Sequence, residues 1–225
     1  MSADHGALVA MALPCLAVLL AYLLGSLSGS LLLGRFRGVD IRTLGSGNAG
    51  GTNAFRTQGW RFALGTALVD VGKGVFAVLL AQALLPDPAS GWVYAAVLAA
   101  VAGHVWPVFH GFRGGKGAAT LIGAVAVLWP GVLLPMIGVW LLVLLLSGYV
   151  GLATVLAALV LPVWALVGDA AAPGLAFAAA AALLLLWTHR GNLARLRAGS
   201  EHRFENARLL ARVWARLQSS RAGRA

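Results

Sequence analysis

Three short polar stretches carry most of the residue types in this chain that could do chemistry. The first is Gly45-Ser46-Gly47-Asn48-Ala49-Gly50-Gly51-Thr52-Asn53-Ala54-Phe55-Arg56. Its glycines let the backbone turn with positive φ and let N–H groups converge. Ser46, Asn48, Thr52 and Asn53 add neutral donors, and Arg56 adds a planar fork suited to phosphate oxygens. A flexible connecting loop would account for the glycines but not for the concentration of donors. The second stretch runs from Gly103-His104 through Arg113-Gly114-Gly115-Lys116-Gly117 to Thr120. Gly114-Gly115-Lys116-Gly117 opens an apolar run, which brings backbone N–H groups, a helix N-terminus and an ammonium to one point. It is not a nucleotide P-loop, because residue 117 is Gly rather than Ser or Thr and His110 stands where that motif has its first Gly. The third stretch is His189-Arg190-Gly191-Asn192, with Glu201 further on.

Each stretch has a plainer alternative. Lys73, in the shorter echo Gly72-Lys73-Gly74, either joins the anion site or snorkels to the headgroups. His104 could bridge two helices. His189 and Asn192 could cap free carbonyls at a helix end, Arg190 could be an interfacial anchor and Glu201 could pair within the tail. Other chemistry is poorly supported. No Gly-x-Ser-x-Gly elbow is present, and no Asp partner is evident for a Ser–His pair. Asp70 is the main acidic residue near these stretches, too little for a two-metal centre. Cys15 is the only cysteine, so neither an internal disulfide nor a Cys pair for zinc is available. Neither a metal nor a cofactor is expected. A transferase built this way would use direct attack by an acceptor hydroxyl rather than a covalent enzyme intermediate.

The elements that must position these residues are membrane helices. Only 11% of the 225 residues are charged and 60% are hydrophobic, against about 25% charged in a soluble domain. Lipid is therefore the solvent, and the apolar runs lack the two-residue alternation of barrel strands. The first run, about Ala7 to Gly34, has no basic segment before it and reads as a true span rather than a cleaved leader. Further runs span about Phe62–Leu85 and Trp92–Phe109. The stretch Ala118 to Val167 holds no charge and is broken at Trp129-Pro130-Gly131 and Ser147-Gly148-Tyr149. A last run spans about Leu175–Thr188.

Charge decides the count. The 17 Lys and Arg residues fall around the first loop, after the third run and in the tail from Arg190. The segments at Met1–Gly6, Pro86–Gly91 and Gly168–Pro173 have none. Three short spans in the charge-free stretch, seven in all, put every basic segment inside, with the N-terminus outside and the C-terminus cytoplasmic. The fold expected is an all-α polytopic membrane protein, with a membrane domain over residues 1–203 and a basic tail over 204–225. In that tail Phe204, Ala207, Leu210, Val213, Trp214 and Leu217 recur at helical spacing opposite Arg208, Arg212 and Arg216, an amphipathic helix for the inner headgroup layer. The net charge of +10 follows from this sidedness, and nucleic acid is not invoked.

In order and together, the three motifs resemble those of the acyl-phosphate:glycerol-3-phosphate acyltransferases, bacterial inner-membrane enzymes of phospholipid synthesis. Ser46-Gly47-Asn48-Ala49-Gly50-Gly51-Thr52-Asn53-Ala54-Phe55-Arg56 is similar to the first motif, with Gly51 where the family usually has Ala. Gly103-His104 with Gly114-Gly115-Lys116-Gly117 and Thr120 is similar to the second, and His189-Arg190-Gly191-Asn192-Leu193-Ala194-Arg195 with Gly199 and Glu201 to the third. The resemblance implies seven helices with an outside N-terminus. It also implies transfer of an acyl group from an acyl phosphate to the 1-hydroxyl of glycerol 3-phosphate, giving lysophosphatidic acid. On that basis glycerol 3-phosphate is expected against Ser46, Arg56, Lys116 and Asn192. The acyl phosphate is expected near the Gly45–Thr52 backbone and the Gly114–Gly117 loop, and the acyl chain among apolar helices entered from membrane lipid. Gly47, Asn48, Thr52, Asn53, Lys73, Thr120 and Glu201 complete the expected binding set. His189, His104 or a substrate phosphate could accept the hydroxyl proton. The rival class is a transporter for a phosphorylated solute, which the charge-free middle spans do not favour.

Overall fold

A computed structural model of the chain describes residues 2–87 and 90–207. It is helical, with no strand among the described residues. In chain order the helices are α1 (Ser2–Gly25), α2 (Gly29–Arg37), α3 (Gly51–Gln58), α4 (Trp60–Leu84), α5 (Gly91–Val105), α6 (Ala118–Leu128), α7 (Leu133–Ser147), α8 (Val150–Ala158), α9 (Val160–Val167), α10 (Ala172–Thr188) and α11 (Arg190–Arg197).

Four stretches are long and apolar enough to cross a bilayer: Trp60–Leu84, Gly91–His110, Pro130–Ser147 and Val150–Val167. Two bent pairs, Met11–Gly25 with Gly29–Arg37 at 41° and Ala172–Thr188 with Arg190–Arg197 at 52°, bring the number to six if each pair is one span. Helix α6 has only 11 residues. At about 1.5 Å per residue it covers about half of a hydrocarbon core of about 30 Å.

Local chemistry sets the breaks. Gly148 takes the left-handed conformation (φ 78°) that ends α7. Pro162 lacks an N–H and crowds the carbonyl of Ala158, where α8 gives way to α9. The packing is that of a membrane bundle. Its buried centre is rich in alanine, including Ala17, Ala21, Ala77, Ala81, Ala96, Ala100 and Ala124, while Leu134 and Val167 are each 81% exposed. A water-soluble fold would bury such side chains; lipid accepts them. Small residues let backbones touch. Gly25 and Gly103 bring α1 onto α5, and Gly74 and Gly123 bring α4 onto α6, each where a Cβ would collide with a facing carbonyl oxygen.

The break between α1 and α2 is closed by charge. Asp70 Oδ1 accepts the Gly29 N–H at 3.0 Å. The Lys73 ammonium donates to the carbonyls of Gly25 (2.7 Å) and Leu27 (3.0 Å) and lies 3.1 Å from Asp70. One buried ion pair on α4 thus satisfies polar groups on both sides of the interruption. This corrects the expectation for Lys73, which neither snorkels nor lines a phosphate site. The tail helix expected from residue 204 is described only to Ala207. Phe204, counted there on an apolar helical face, lies outside any helix and donates its N–H to Gly148 O at 2.9 Å. Residues 208–225 lie outside those described.

Candidate active site

A polar cavity of about 580 Å³ opens where four helices begin. Gly51 and Thr52 come from the first turn of α3, Ala118 and Ala119 from α6, Val150 and Gly151 from α8, and Asn192 from α11. The first N–H groups of a helix have no intrahelical partner, and the helix dipole places positive potential there. Four such ends on one cavity favour negative charge there. Arg56 and Lys116 add two cations to the same lining.

The loop before α3 is held open by Asn53. Its Oδ1 accepts the Ser46 N–H at 2.9 Å, and its Nδ2 donates to the carbonyls of Ile41 (3.1 Å) and Leu44 (3.0 Å). Both N–H groups of the amide are used and the residue is 1% exposed, so Asn53, though it borders the cavity, clips the loop and has no donor to spare. Gly45 (φ +56°) makes room for that clip, since a Cβ there would strike the Asn53 side chain. Gly47 lies outside the cavity lining and donates to Leu44 O at 3.0 Å. Ser46, Asn48 and Thr52 do line the cavity. Arg42, which in sequence is only one more positive charge, ties this loop to the next by donating to the carbonyls of His110 (2.8 Å) and Arg113 (3.2 Å).

The glycines of the second motif do a different job from the one their types suggest. Gly114 and Gly115 donate their N–H groups to Val105 O and His104 O, both at 3.1 Å, folding the loop back on the end of α5. They are absent from the cavity lining and leave no N–H for an anion. The cradle in this motif is the start of α6, reached through Gly117 in the left-handed region (φ +88°). Thr120 is also displaced from the expected set, since it is buried and its carbonyl faces Gly74 in the α4–α6 contact.

Lys116 is held at the cavity by two elements, α10 and α11. Its Nζ donates to Asn192 Oδ1, and its carbonyl accepts from Thr188 Oγ1 at 3.0 Å. Burial lowers the ammonium to about 8, with Arg195 and Arg56 adding to the effect and Glu201 opposing it. Glu201 accepts from Asn192 Nδ2 (2.6 Å) and from Arg195 Nε (2.7 Å). Because a carboxylate can only accept here, it turns the amide NH2 toward itself and the amide oxygen toward Lys116. Glu201 was expected to touch substrate. Its two oxygens are instead occupied, and it acts on Lys116 through Asn192.

The two histidines differ in what engages Nδ1. His104 Nδ1 lies 2.7 Å from the Lys73 ammonium and 3.4 Å from Asp70 Oδ1. Nδ1 is thus engaged by the buried pair, and Nε2 is the atom beside Gly115. His189 Nδ1 lies 2.8 Å from Leu185 O and must donate, which leaves the lone pair on Nε2. Both rings reach the cavity lining. Among the described residues, no group of three or more His, Cys, Asp and Glu is arranged for a metal ion.

Sequence reasoning missed Val150, Gly151 and Thr154, which reach the cavity from the charge-free stretch. The only signal there was the break at Ser147-Gly148-Tyr149. Gly151 matters because a Cβ on it would meet the Asn192 side chain at 2.8 Å. An apolar groove of about 240 Å³ continues from the same place, sharing Ala118, Ala119 and Thr154 with the polar cavity. Leu121, Ile122, Met136, Trp140 and Ala157 line it, and Trp140 Nε1 donates to Thr154 Oγ1 at 3.2 Å across the junction.

Comparison with known proteins matches residues 15–199 to the family described as glycerol-3-phosphate acyltransferase. A glycerol-3-phosphate acyltransferase of Rubrobacter xylanophilus is 45% identical over 193 residues, 85% of this chain and 96% of that protein. One from Prochlorococcus marinus is 46% identical over 192 residues, covering 84% and 93%. The solved structure of PlsY, an integral membrane glycerol 3-phosphate acyltransferase, in its glycerol 3-phosphate form superposes with a TM-score of 0.81 at 36% identity, covering 88% of this chain and 98% of that one. Its lysophosphatidic acid form gives 0.80 at 35% identity, with the same coverage.

Proposed function

This chain belongs to the glycerol-3-phosphate acyltransferase family, and from that premise we propose that it transfers an acyl group from an acyl phosphate to the 1-hydroxyl of glycerol 3-phosphate. The product is lysophosphatidic acid, at the first step of phospholipid synthesis in the bacterial inner membrane. One observation carries the reading: Arg56, Lys116 and Asn192 share a cavity bounded by four helix starts and continuous with an apolar groove. Such a site suits two phosphates side by side, one of them tethered to an alkyl chain.

The acceptor phosphate lies against Ser46, Arg56 and Lys116, with Asn192 holding the lysine. The acyl phosphate rests on the N–H groups that open α3 and α6, with its chain in the groove between α6, α7 and α8. The hydroxyl oxygen attacks the carbonyl carbon directly and the carbon–oxygen bond to phosphate breaks. Inorganic phosphate leaves, and no acyl-enzyme forms. Proximity within one cavity and positive potential on the developing charge supply the acceleration. The hydroxyl proton passes to His189 Nε2 or to a substrate phosphate oxygen. His104 is less suited, because its ring is tied at Nδ1 to the buried Lys73–Asp70 pair. The topology that fits is seven spans with the N-terminus outside: four straight, two bent, and α6 as a short seventh.

The test is a purified enzyme assay with glycerol 3-phosphate and either palmitoyl phosphate or palmitoyl-CoA. Lysophosphatidic acid from palmitoyl phosphate alone supports the reading. Equal turnover of the thioester overturns the donor assignment.

A further inference from the structure

The family match ends at residue 199, but the chain continues across the mouth of the cavity. After the turn at Gly199, Ser200 donates its N–H to Arg195 O at 2.9 Å, and Glu201 and His202 line the cavity. The segment is then tied down on the α7–α8 turn. Arg203 Nε donates to Ser147 O at 2.9 Å, and Phe204 N–H donates to Gly148 O at 2.9 Å. These bonds fix the Phe204 ring over the Arg56 guanidinium, 4.7 Å from carbon to centroid. The Phe55 ring lies 6.4 Å away and His202 meets Phe204 edge-on at 5.3 Å.

Arg56 has no hydrogen-bond or ion-pair partner among the described residues, and its Nε is buried without one. A carboxylate holding this guanidinium would occupy its fork and cancel its charge. An aromatic face does neither. It attracts the cation through the ring quadrupole and restrains the group while consuming none of its N–H donors.

We propose that Phe204 is a positioning residue for the transfer reaction, acting through Arg56. It orients the fork toward the phosphate of the glycerol 3-phosphate without consuming a donor. The inference rests on the reading of Arg56 as a phosphate ligand.

The test uses the full-length protein in detergent, with Phe204→Leu, Phe204→Tyr and Arg56→Ala separately, and Phe204→Leu combined with Arg56→Ala. Phe204→Leu keeps apolar bulk and loses the quadrupole. It should raise KM for glycerol 3-phosphate by about two- to thirtyfold, the range of a cation–π contact, with a smaller change in kcat. Phe204→Tyr should recover most of that loss. In the Arg56→Ala background the leucine substitution should change kcat/KM less than twofold. Three results overturn the proposal: an equal effect of Phe204→Leu with and without Arg56, a loss confined to kcat and thermal stability, or no loss at all while Arg56→Ala is impaired. Full activity of Arg56→Ala would instead reject the phosphate-ligand reading beneath it.

Discussion

Gly72-Lys73-Gly74 and Gly115-Lys116-Gly117 are the same tripeptide with opposite fates. Lys73 lies within α4, and its ammonium is consumed by the carbonyls of Gly25 and Leu27 and by Asp70. Gly74 beside it remains helical and admits the Thr120 carbonyl. Lys116 lies in a loop, where Gly117 turns the chain into α6 and the ammonium meets one side chain, Asn192, at the cavity. A lysine whose neighbours are carbonyls, a carboxylate and an imidazole nitrogen is a structural fastener. A lysine held by one amide beside two arginines, with its one nearby carboxylate already bonded to Asn192 and Arg195, keeps donors for an anion.

Four experiments test that contrast. The largest effect is expected from Lys73→Ala, which leaves Asp70 charged and buried and should cost about 3–5 kcal/mol of stability. A thermal melt in detergent reads it, and Asp70→Asn in the same chain should restore part of the loss. If Lys73→Ala melts normally but loses binding of glycerol 3-phosphate, the two lysines are functionally alike. Lys116→Ala comes next. It should melt as wild type while kcat/KM falls about 10²–10³-fold, the scale of removing one charge-stabilising donor.

Glu201→Gln should cost about tenfold in kcat/KM, because the Asn192 amide is then free to flip and offer NH2 to Lys116. Glu201→Asp should not rescue it if the side chain is too short to reach both Asn192 and Arg195. The smallest effect is a pH limb. Burial lowers Lys116 to about 8 in the free enzyme, so the ammonium loses its proton as pH rises through that value. The profile of kcat/KM should therefore fall on the alkaline side. In kcat the limb should move upward, because a bound phosphate favours the charged form. An unchanged limb in Lys116→Arg would assign it to another group.

Much of the bundle was legible because it depends on local quantities. The breaks at Trp129 and Gly148 were visible as interruptions in apolar runs, and the polar stretches stood out against oil. Ser46, Asn48, Thr52, Arg56, Lys116 and Asn192 were singled out by type, and all six line one cavity. Asn53, Gly114, Gly115 and Lys73 carried the same kind of label and do other work. Type alone cannot separate a donor that is free from one already spent. Phe204 misled in another way, because its place in a helical repeat hid a contact with a side chain far upstream.

Residue order alone was enough to establish that lipid is the solvent, that the elements are helices, and that the polar and basic residue types gather in three short stretches between them. These follow from hydropathy, from the cost of unsatisfied backbone groups in hydrocarbon, and from residue types held close in sequence. Folding settled which polar groups remained available. Lys73 finds its carbonyl 48 residues away, and Lys116 finds its amide 76 residues away. No local pattern reports such meetings, because they depend on how glycine-lined backbones pack against one another.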